Sequence, residues 1–209
     1  MSEISTSRIA DLLKPYGVDA SPKLCEQVQT YISLLLDWNR RMALTTVTDP
    51  VEIVRFHFGE SVFAASAVPI RDGRLADIGS GPGFPAIPIS MVNGSVICVP
   101  IESNSKKSTF QSEVARRLRL ANVHPYRGRM EEFPLAEARF DWITARALGD
   151  FPALLHWSAE AAAPAGRLVL WVGSNDAVAL AKSPGWNWAA PIQIPQSDRR
   201  MILVGSRSI

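Results

Sequence analysis

The sequence predicts an α/β protein: an open, mostly parallel sheet with helices on both faces, preceded by a small helical segment. Three observations predict it. From Arg74 onward, short runs rich in β-branched residues alternate with blocks of helical periodicity. A glycine-rich stretch, Gly79 to Gly83, lies between the first such run and the first helix-like block. The run "GRLVLWVG", Gly166 to Gly173, is continuously apolar, as strands buried on both faces are.

The first segment, residues 1–65, reads as helical. Leu24, Val28, Ile32, Leu35 and Leu36 recur at three- to four-residue spacing, which puts them on one helix face. Ser21 before Pro22 supplies an N-cap followed by proline at the first helical position. "TDP", Thr48 to Pro50, starts another helix, with Glu52 in its first turn and Ile53, Val54 and Phe58 behind it. The second segment, residues 66–209, carries the alternation. "RLADIG" is a strand, "FPAIPISMV" a short helix and "SVICVPI" a second strand. "KKSTFQSEVARRLRL" is a longer helix with Phe110, Val114 and Leu118 on one face. "VHPYRG" is a weaker third strand, "FDWITARA" a fourth, "FPALLHWSAEAAA" a helix and "GRLVLWVG" the fifth strand. "NWAAPIQIP" and "RRMILVGS" close the chain as an antiparallel hairpin around Gln196, Ser197 and Asp198. There are no repeats or low-complexity tracts.

Composition narrows the classes. The chain is 47% hydrophobic and 20% charged, as globular proteins are. A net charge of +2 is too small by itself to mark a nucleic-acid binder. Cys25 and Cys98 lie far apart without a C-x-x-C partner, so buried free thiols are expected and neither a disulfide framework nor a metal site is. No signal pattern and no apolar run near the ~20 residues of a membrane span appear, so a cytoplasmic protein is expected.

In open α/β sheets ligands bind beyond the carboxyl ends of the strands, where strand order reverses. "DIGSGPGF" falls there. It lacks the Gly-Lys-Ser/Thr of a triphosphate loop. It also departs from the dinucleotide fingerprint, because Phe84 stands where the sixth-position glycine or alanine is needed for close strand–helix approach. Gly79, Gly81 and Gly83 instead let a ligand lie against bare backbone. Pro85 fits the first helical turn, whose free N–H groups can meet a carboxylate as well as a phosphate. Glu102 follows the second strand, placed to accept hydrogen bonds from both ribose hydroxyls. A ribose acid serves NAD and S-adenosylmethionine equally. The glycine spacing, the missing sixth glycine and Asp77 favour S-adenosylmethionine.

The chain resembles the ribosomal-RNA small-subunit methyltransferase G family, also called glucose-inhibited division protein B, over about Leu24 to Ser206. The resemblance rests on "DWNRRMALTTVTDP", "HFGES", "DIGSGPGFPAIP", "GRMEEF", "ITARAL" and "DRRMILV". It implies a class I S-adenosylmethionine-dependent methyltransferase fold, Rossmann-like, with a seven-stranded, mostly parallel sheet whose last strand is antiparallel. It implies methyl transfer to N7 of one guanosine of 16S ribosomal RNA (527 in the usual bacterial numbering), within the small subunit or its precursor; a monomer is the default expectation, since the sequence is silent on oligomeric state. By motif, Gly79 and Phe84 would contact the cofactor, Met130 and Glu131 would flank the adenine, and Arg146 would line the site. Departures from the family pattern fall at Ala43, Ala86 and Val172.

Guanine N7 carries a lone pair at neutral pH, so holding it in line with the methyl group suffices and no general base is expected. Arg146 is the expected catalytic residue, donating to guanine O6 or to a phosphate. Its charge beside a ring that becomes cationic needs an offset, from Asp77, Glu131 or Asp150. The plainer reading of Arg146 is a salt bridge at a strand end. Phe84 or Trp142 would offer a stacking surface for an unstacked base, although core packing is the commoner role. His57 reads as a hydrogen-bonded core residue, and Trp38–Asn39 as helix packing with a backbone bond near the loop. Basic clusters at Arg40–Arg41, Lys106–Lys107, Arg116–Arg117–Arg119, Arg127, Arg129 and Arg199–Arg200 are candidate RNA contacts, foremost Arg127, Arg129, Arg199 and Arg200. Rival readings are a methyltransferase acting on another RNA, a small molecule or a protein, an NAD-dependent oxidoreductase, and an RNA-binding protein without turnover.

Overall fold

The computed structural model describes residues 4–135, 139–147 and 149–208. Helix α1 (Thr6–Leu13) opens on Ser5, whose hydroxyl accepts from Arg8 N at 3.2 Å. A 3₁₀ turn, Lys14–Tyr16, ends on Gly17. Helix α2 (Pro22–Met42) starts as expected, with Ser21 accepting from Leu24 N at 3.2 Å and proline next. It stops at Ala43, in the left-handed region at φ 48°. The side chain of Asn39 fixes the exit, donating to Thr45 O and accepting from Thr45 N, each at 2.9 Å.

Asp49 caps the next helix by accepting from Glu52 N at 2.9 Å, so the "TDP" start holds. The segment beyond this cap is not one regular helix. Helix α3 (Pro50–Glu52) widens into a π-helical stretch, Ile53–Gly59, before α4 (Glu60–Ala67). Such widenings reorient the side chains beyond them and concentrate at functional positions. Here the widened turn contains His57, and Glu60 comes directly after it.

The sheet elements come in the expected order: β1 (Gly73–Ile78), α5 (Ala86–Val92), β2 (Val96–Glu102), α6 (Ser105–Arg117), β3 (Tyr126–Arg127), β4 (Phe140–Arg146), α7 (Phe151–Ala161) and β5 (Ala162–Gly173). Helix α8 (Ser174–Leu180) is next, then β6 (Trp186–Trp188), β7 (Ile192–Gln193) and β8 (Arg200–Arg207). Strand order is β3-β2-β1-β4-β5-β8-β6, with β7 also on β8. Strands β1 to β5 are parallel, and β8 runs antiparallel to β5. Both β6 and β7 pair with β8, through Trp188↔Gly205 and Ile192↔Ile202, so they form one interrupted lane. Pro191, which has no N–H to give the ladder, lies in the interruption. The eight segments thus fill seven lanes.

Alternation along the strands splits the core between two faces. Leu75, Cys98, Val169 and Ile202 join α1, α2, α5 and α6 on one side. Ala76, Ile143, Leu168, Leu170 and Leu203 join α7 and α8 on the other. The first cluster runs from Ile9 to Ile202 without a break, so the N-terminal helices share a core with the sheet. Both cysteines are free and buried, and burial raises both thiol pKa values. No helix among the described residues is long and apolar enough to cross a membrane.

Three local expectations are corrected. Pro85 occupies the N-cap of α5, one position before the helix, because Ala86 N already bonds to Asp77 at 3.2 Å. Helix α8 carries no sequence signal beyond one apolar turn. Strand β5 begins at Ala162, four residues before Gly166, with a register irregularity opposite Phe140 and Trp142. Gly166 is required at that irregularity, since a Cβ there would lie 2.7 Å from Phe140 O.

Candidate active site

Chain order reverses at β1, which has β2 on one side and β4 on the other. The glycine loop therefore leaves the sheet at a switch point, as ligand-binding loops of this architecture do. Its shape comes from internal bonds. Gly79 N and Ser80 N donate to Ile101 O at 3.0 and 3.2 Å, and Gly83 N and Phe84 N to Ser80 O at 2.8 and 3.0 Å. Gly81 N donates to Glu102 Oε2 at 2.9 Å, and Ile87 N to Gly83 O at 2.9 Å. The expected free donors of the loop and first helical turn are thus already bonded, and the loop is not an anion cradle. Gly79, Gly81 and Gly83 all have positive φ. Gly83 is also closely packed: a Cβ there would lie 2.6 Å from the Tyr31 hydroxyl oxygen.

Asp77 holds this loop from beneath. Its Oδ2 accepts from Ser80 Oγ at 2.5 Å and Ala86 N at 3.2 Å, and its Oδ1 accepts from Thr144 Oγ1 at 2.9 Å. Burial pushes its carboxyl up to about 6 against those three hydrogen bonds. Fully buried, it faces the loop instead of the cleft. Gly81 and Gly83 likewise serve the loop's path. Phe84 is 5% exposed, with its ring stacked near-parallel on Tyr31 at 5.1 Å and on His57 at 4.7 Å. Both contacts occupy the ring, so Phe84 is a packing post between the N-terminal helices and the loop and not a stacking surface. Trp142 is no substitute. It lies opposite Leu75, toward the amino end of the sheet, and donates Nε1–H to Asp72 O at 3.0 Å.

A cleft of about 200 Å³ opens at the ends of β1 and β2, lined by Gly79, Glu102, Ser103, Gly128, Met130 and Glu131 among others. Glu102 accepts from Gly81 N through Oε2 and from Asn104 N through Oε1 at 2.8 Å. Each oxygen keeps a second acceptor position, the chemistry a vicinal diol requires. Met130, in the 3₁₀ turn Met130–Glu132, gives the cleft an apolar wall, while Glu131 is exposed at its rim. The donor set fits S-adenosylmethionine: a carboxylate for the ribose, an apolar wall for the adenine and a glycine backbone beside both. Ser103, Gly128 and Arg129 belong to the same cleft, and the last two open the motif "GRMEEF".

Arg146 ends β4. Ala145 pairs with Ile78, so Arg146 leaves the sheet beside Gly79. Its guanidinium Nη2 lies 3.4 Å from His57 Nδ1 and 3.7 Å from Glu60 Oε2, while Nη1 is buried without a partner among the described residues. Glu60 is 1% exposed, and its other oxygen meets Arg200 Nη2 at 2.7 Å. Burial raises the Glu60 carboxyl pKa, and both arginines oppose that shift. Burial lowers the Arg146 pKa, and Glu60 opposes it most. The salt bridge at the strand end is therefore real, and Glu60 supplies the offsetting charge expected of Asp77, Glu131 or Asp150. Asp150 instead caps α7, accepting from Ala153 N at 3.1 Å. His57 is not simply a core residue. It is half-buried, and its Nε2 lies 3.2 Å from Thr45 Oγ1. Burial, with Arg146 adding to it, pushes its pKa down to about 3, so the ring is neutral.

The cations divide by their partners. Arg40 and Arg116 pair with Asp37 and Glu113 on their own helices. Arg200 is committed to Glu60 and stacks over Phe56 at 4.6 Å. Lys106, Arg127, Arg129 and Arg199 are exposed and stand in no ion pair among the described residues. Arg127 ends β3, Lys106 and Arg129 come after the carboxyl ends of β2 and β3, and Arg199 precedes antiparallel β8, which puts all four on the same rim as Arg146 and the cleft.

Comparison with known proteins bears on the family and the fold. The chain is 35% identical over 180 residues to the ribosomal RNA small subunit methyltransferase G of Xanthomonas axonopodis pv. citri, covering 83% of each chain. It is 29% identical over 203 residues to that of Enterobacter sp. (strain 638), covering 95% of this chain and 97% of the relative. Among solved structures, a SAM dependent methyltransferase from Aquifex aeolicus superposes with a TM-score of 0.64 at 17% identity, over 78% of this chain and 96% of that one. That likeness speaks for the fold. The sequence pattern of the rRNA small subunit methyltransferase G family matches residues 24–185. The chain belongs to that family, and with it to the S-adenosylmethionine-dependent methyltransferases.

Proposed function

We propose that this rRNA methyltransferase modifies N7 of a guanosine in the 16S RNA of the small ribosomal subunit or its precursor, guanosine 527 in the usual bacterial numbering. The observation that carries the reading is that each proton acceptor beside Arg146 among the described residues is engaged or closed off: Glu60 is 1% exposed, with one oxygen on Arg146 and the other on Arg200. His57 is neutral with a pKa near 3, which makes it a poor base at physiological pH. Asp77 has its carboxylate bonded inward and closed to solvent. A hydroxyl or exocyclic amine nucleophile loses a proton during transfer, whereas a ring nitrogen with a free lone pair does not.

When bound, S-adenosylmethionine supplies a methyl group already activated on a sulfonium. The chain's own part is positioning. Glu102, Met130 and Gly79 hold the cofactor's end of the cleft, and Arg146 Nη1 is the free donor for guanine O6 or a phosphate oxygen. Correct placement of reacting atoms alone supplies several kcal/mol toward a barrier. Glu60 offsets one of the two guanidinium charges beside it as the guanine becomes cationic.

The test is incubation of small ribosomal subunits with methyl-labelled S-adenosylmethionine at pH values from 6 to 9, with the labelled nucleotide then mapped. Label at one guanine N7, with a rate that shows no titration in that interval, is the expected result. Label in ribosomal protein, in another RNA only, or at a different ring position overturns it.

A further inference from the structure

Thr45, His57, Glu60 and Arg146 meet beside the glycine loop, and their donors and acceptors fix a proton position. His57 Nδ1 faces Arg146 Nη2 at 3.4 Å and Nε2 faces Thr45 Oγ1 at 3.2 Å. A guanidinium has donors only, so Nδ1 has to present its lone pair and the ring proton has to sit on Nε2. Thr45 Oγ1 can receive that proton while also accepting from Val47 N at 3.1 Å, since a hydroxyl has two lone pairs. Thr45 is itself held by the two Asn39 bonds. Phe84 stacks on the imidazole at 4.7 Å with 25° between planes, which fixes the ring's tilt.

Glu60 takes the same Arg146 nitrogen at 3.7 Å and is tied by Arg200 at 2.7 Å. The backbone of Glu60 is anchored too, because Trp171 Nε1–H donates to its carbonyl at 3.2 Å. Both acceptors fall on Nη2, while Nη1 is left buried and unpartnered among the described residues.

We propose that His57 is a positioning residue for Arg146. As the Nε2–H tautomer it accepts from Nη2 and, with Glu60, fixes that end of the guanidinium, so that the buried Nη1 is the donor left uncommitted for a guanine or phosphate oxygen. This rests on the role given to Arg146 above. The groups facing the ring are Arg146, Thr45 and Phe84, with Glu60 and Arg200 behind Arg146. An imidazolium would set donor against donor and cation against cation, and burial with Arg146 keeps the ring neutral.

Two measurements on the full chain test this. In the wild-type protein labelled with ¹⁵N at its imidazoles, His57 should show a protonated Nε2 and an unprotonated Nδ1, unchanged from pH 8 to pH 5. An Nδ1–H pattern, or titration within that range, overturns the proposal. This spectrum stands whichever nucleotide is methylated, so it separates failure here from failure of the proposed function. The second measurement is kinetic, by total methyl incorporation into small subunits. His57→Phe should lose kcat by on the order of 10- to 100-fold, the size of a charge-assisted hydrogen bond. His57→Asn, whose Oδ1 can stand in for Nδ1, should recover most of that loss, with S-adenosylmethionine affinity by calorimetry equal in all three proteins. Equal kcat for the Phe and Asn variants, or a loss that tracks cofactor affinity, assigns His57 to packing alone.

Discussion

A carboxylate without access to water is costly as an anion, and Asp77 is in that position under the glycine loop. Its three donors, Ser80, Thr144 and Ala86 N, reduce the cost without removing it, and its pKa stands at about 6. The unfolded chain would titrate it near 3.9. Between those values the folded state binds more protons than the unfolded one, so stability falls as pH rises. The contribution is complete below about pH 4 and is lost as pH rises through 6. About two pKa units correspond to about 3 kcal/mol. Asp77→Asn does not titrate, and it can keep the pattern with its oxygen toward Ser80 and Ala86 and its amide donating to Thr144. The stability difference between variant and wild type, from urea unfolding, should therefore move toward the variant by about 2 to 3 kcal/mol between pH 4 and pH 7. A difference constant with pH would mean that the loop holds Asp77 as an anion at no cost. His57 has the opposite sign: its pKa lies below the ordinary 6.5, so its contribution is present above 6.5 and lost as pH falls toward 3. It is present in both proteins and cancels in the comparison.

Glu102 shows the same economy between elements, because one carboxylate joins the end of β2 to the glycine loop and to the turn that starts α6. Gly81 N and Asn104 N each take one oxygen, and Asn104 in turn caps α6 through Lys106 N at 3.0 Å. Glu102→Gln has one acceptor for those two amides, so an N–H is left facing an NH₂ group. An unmet buried donor costs about 1 to 3 kcal/mol. The NH₂ group also replaces one of the two oxygens available to a ribose diol, so calorimetry should find S-adenosylmethionine binding weaker by about tenfold or more with the fold retained; unchanged affinity would remove Glu102 from the ribose role. Elements of this kind are legible in the sequence because their signals are local. The Ser21–Pro22 start, the Asp49 cap and the alternating strands depend on neighbours a few residues away. The interruption at Pro191 and the short α8 depend on what β8 and β5 accept, and those pairings span the chain. The π-helical widening before Glu60 has no signal in "RFHFGES", where only the motif resemblance marks the segment. Glu60 escapes sequence reading for the same reason: nothing near it in the chain says that its partners are Arg146 and Arg200.

At the scale of the molecule, a net charge of +2 understates the field at the rim, because the cations are sorted by position. Arg116 on α6 is neutralised by Glu113 at 2.7 Å, while Arg127 and Arg129 stand exposed at the end of β3 with the cleft between them and Glu102. Arg199 enters the same edge from the antiparallel side, where Gly173 pairs with Arg200. A polyanion docking over Arg146 would meet these side chains first and would displace counterions on contact. Each phosphate neutralised on a single-stranded or duplex segment contributes about 0.7 to 0.9 to the slope of log affinity against log salt concentration. Affinity for small ribosomal subunits, measured across a salt series, should therefore fall steeply for the wild-type chain. Arg127→Ala with Arg129→Ala should lower that slope by about 1.5. Arg116→Ala, which removes a cation already paired on the opposite end of its helix, should leave the slope where it was. If the double variant and Arg116→Ala shift the slope equally, the rim is only part of a diffuse basic surface. If neither shifts it, the RNA approaches from another side of the molecule.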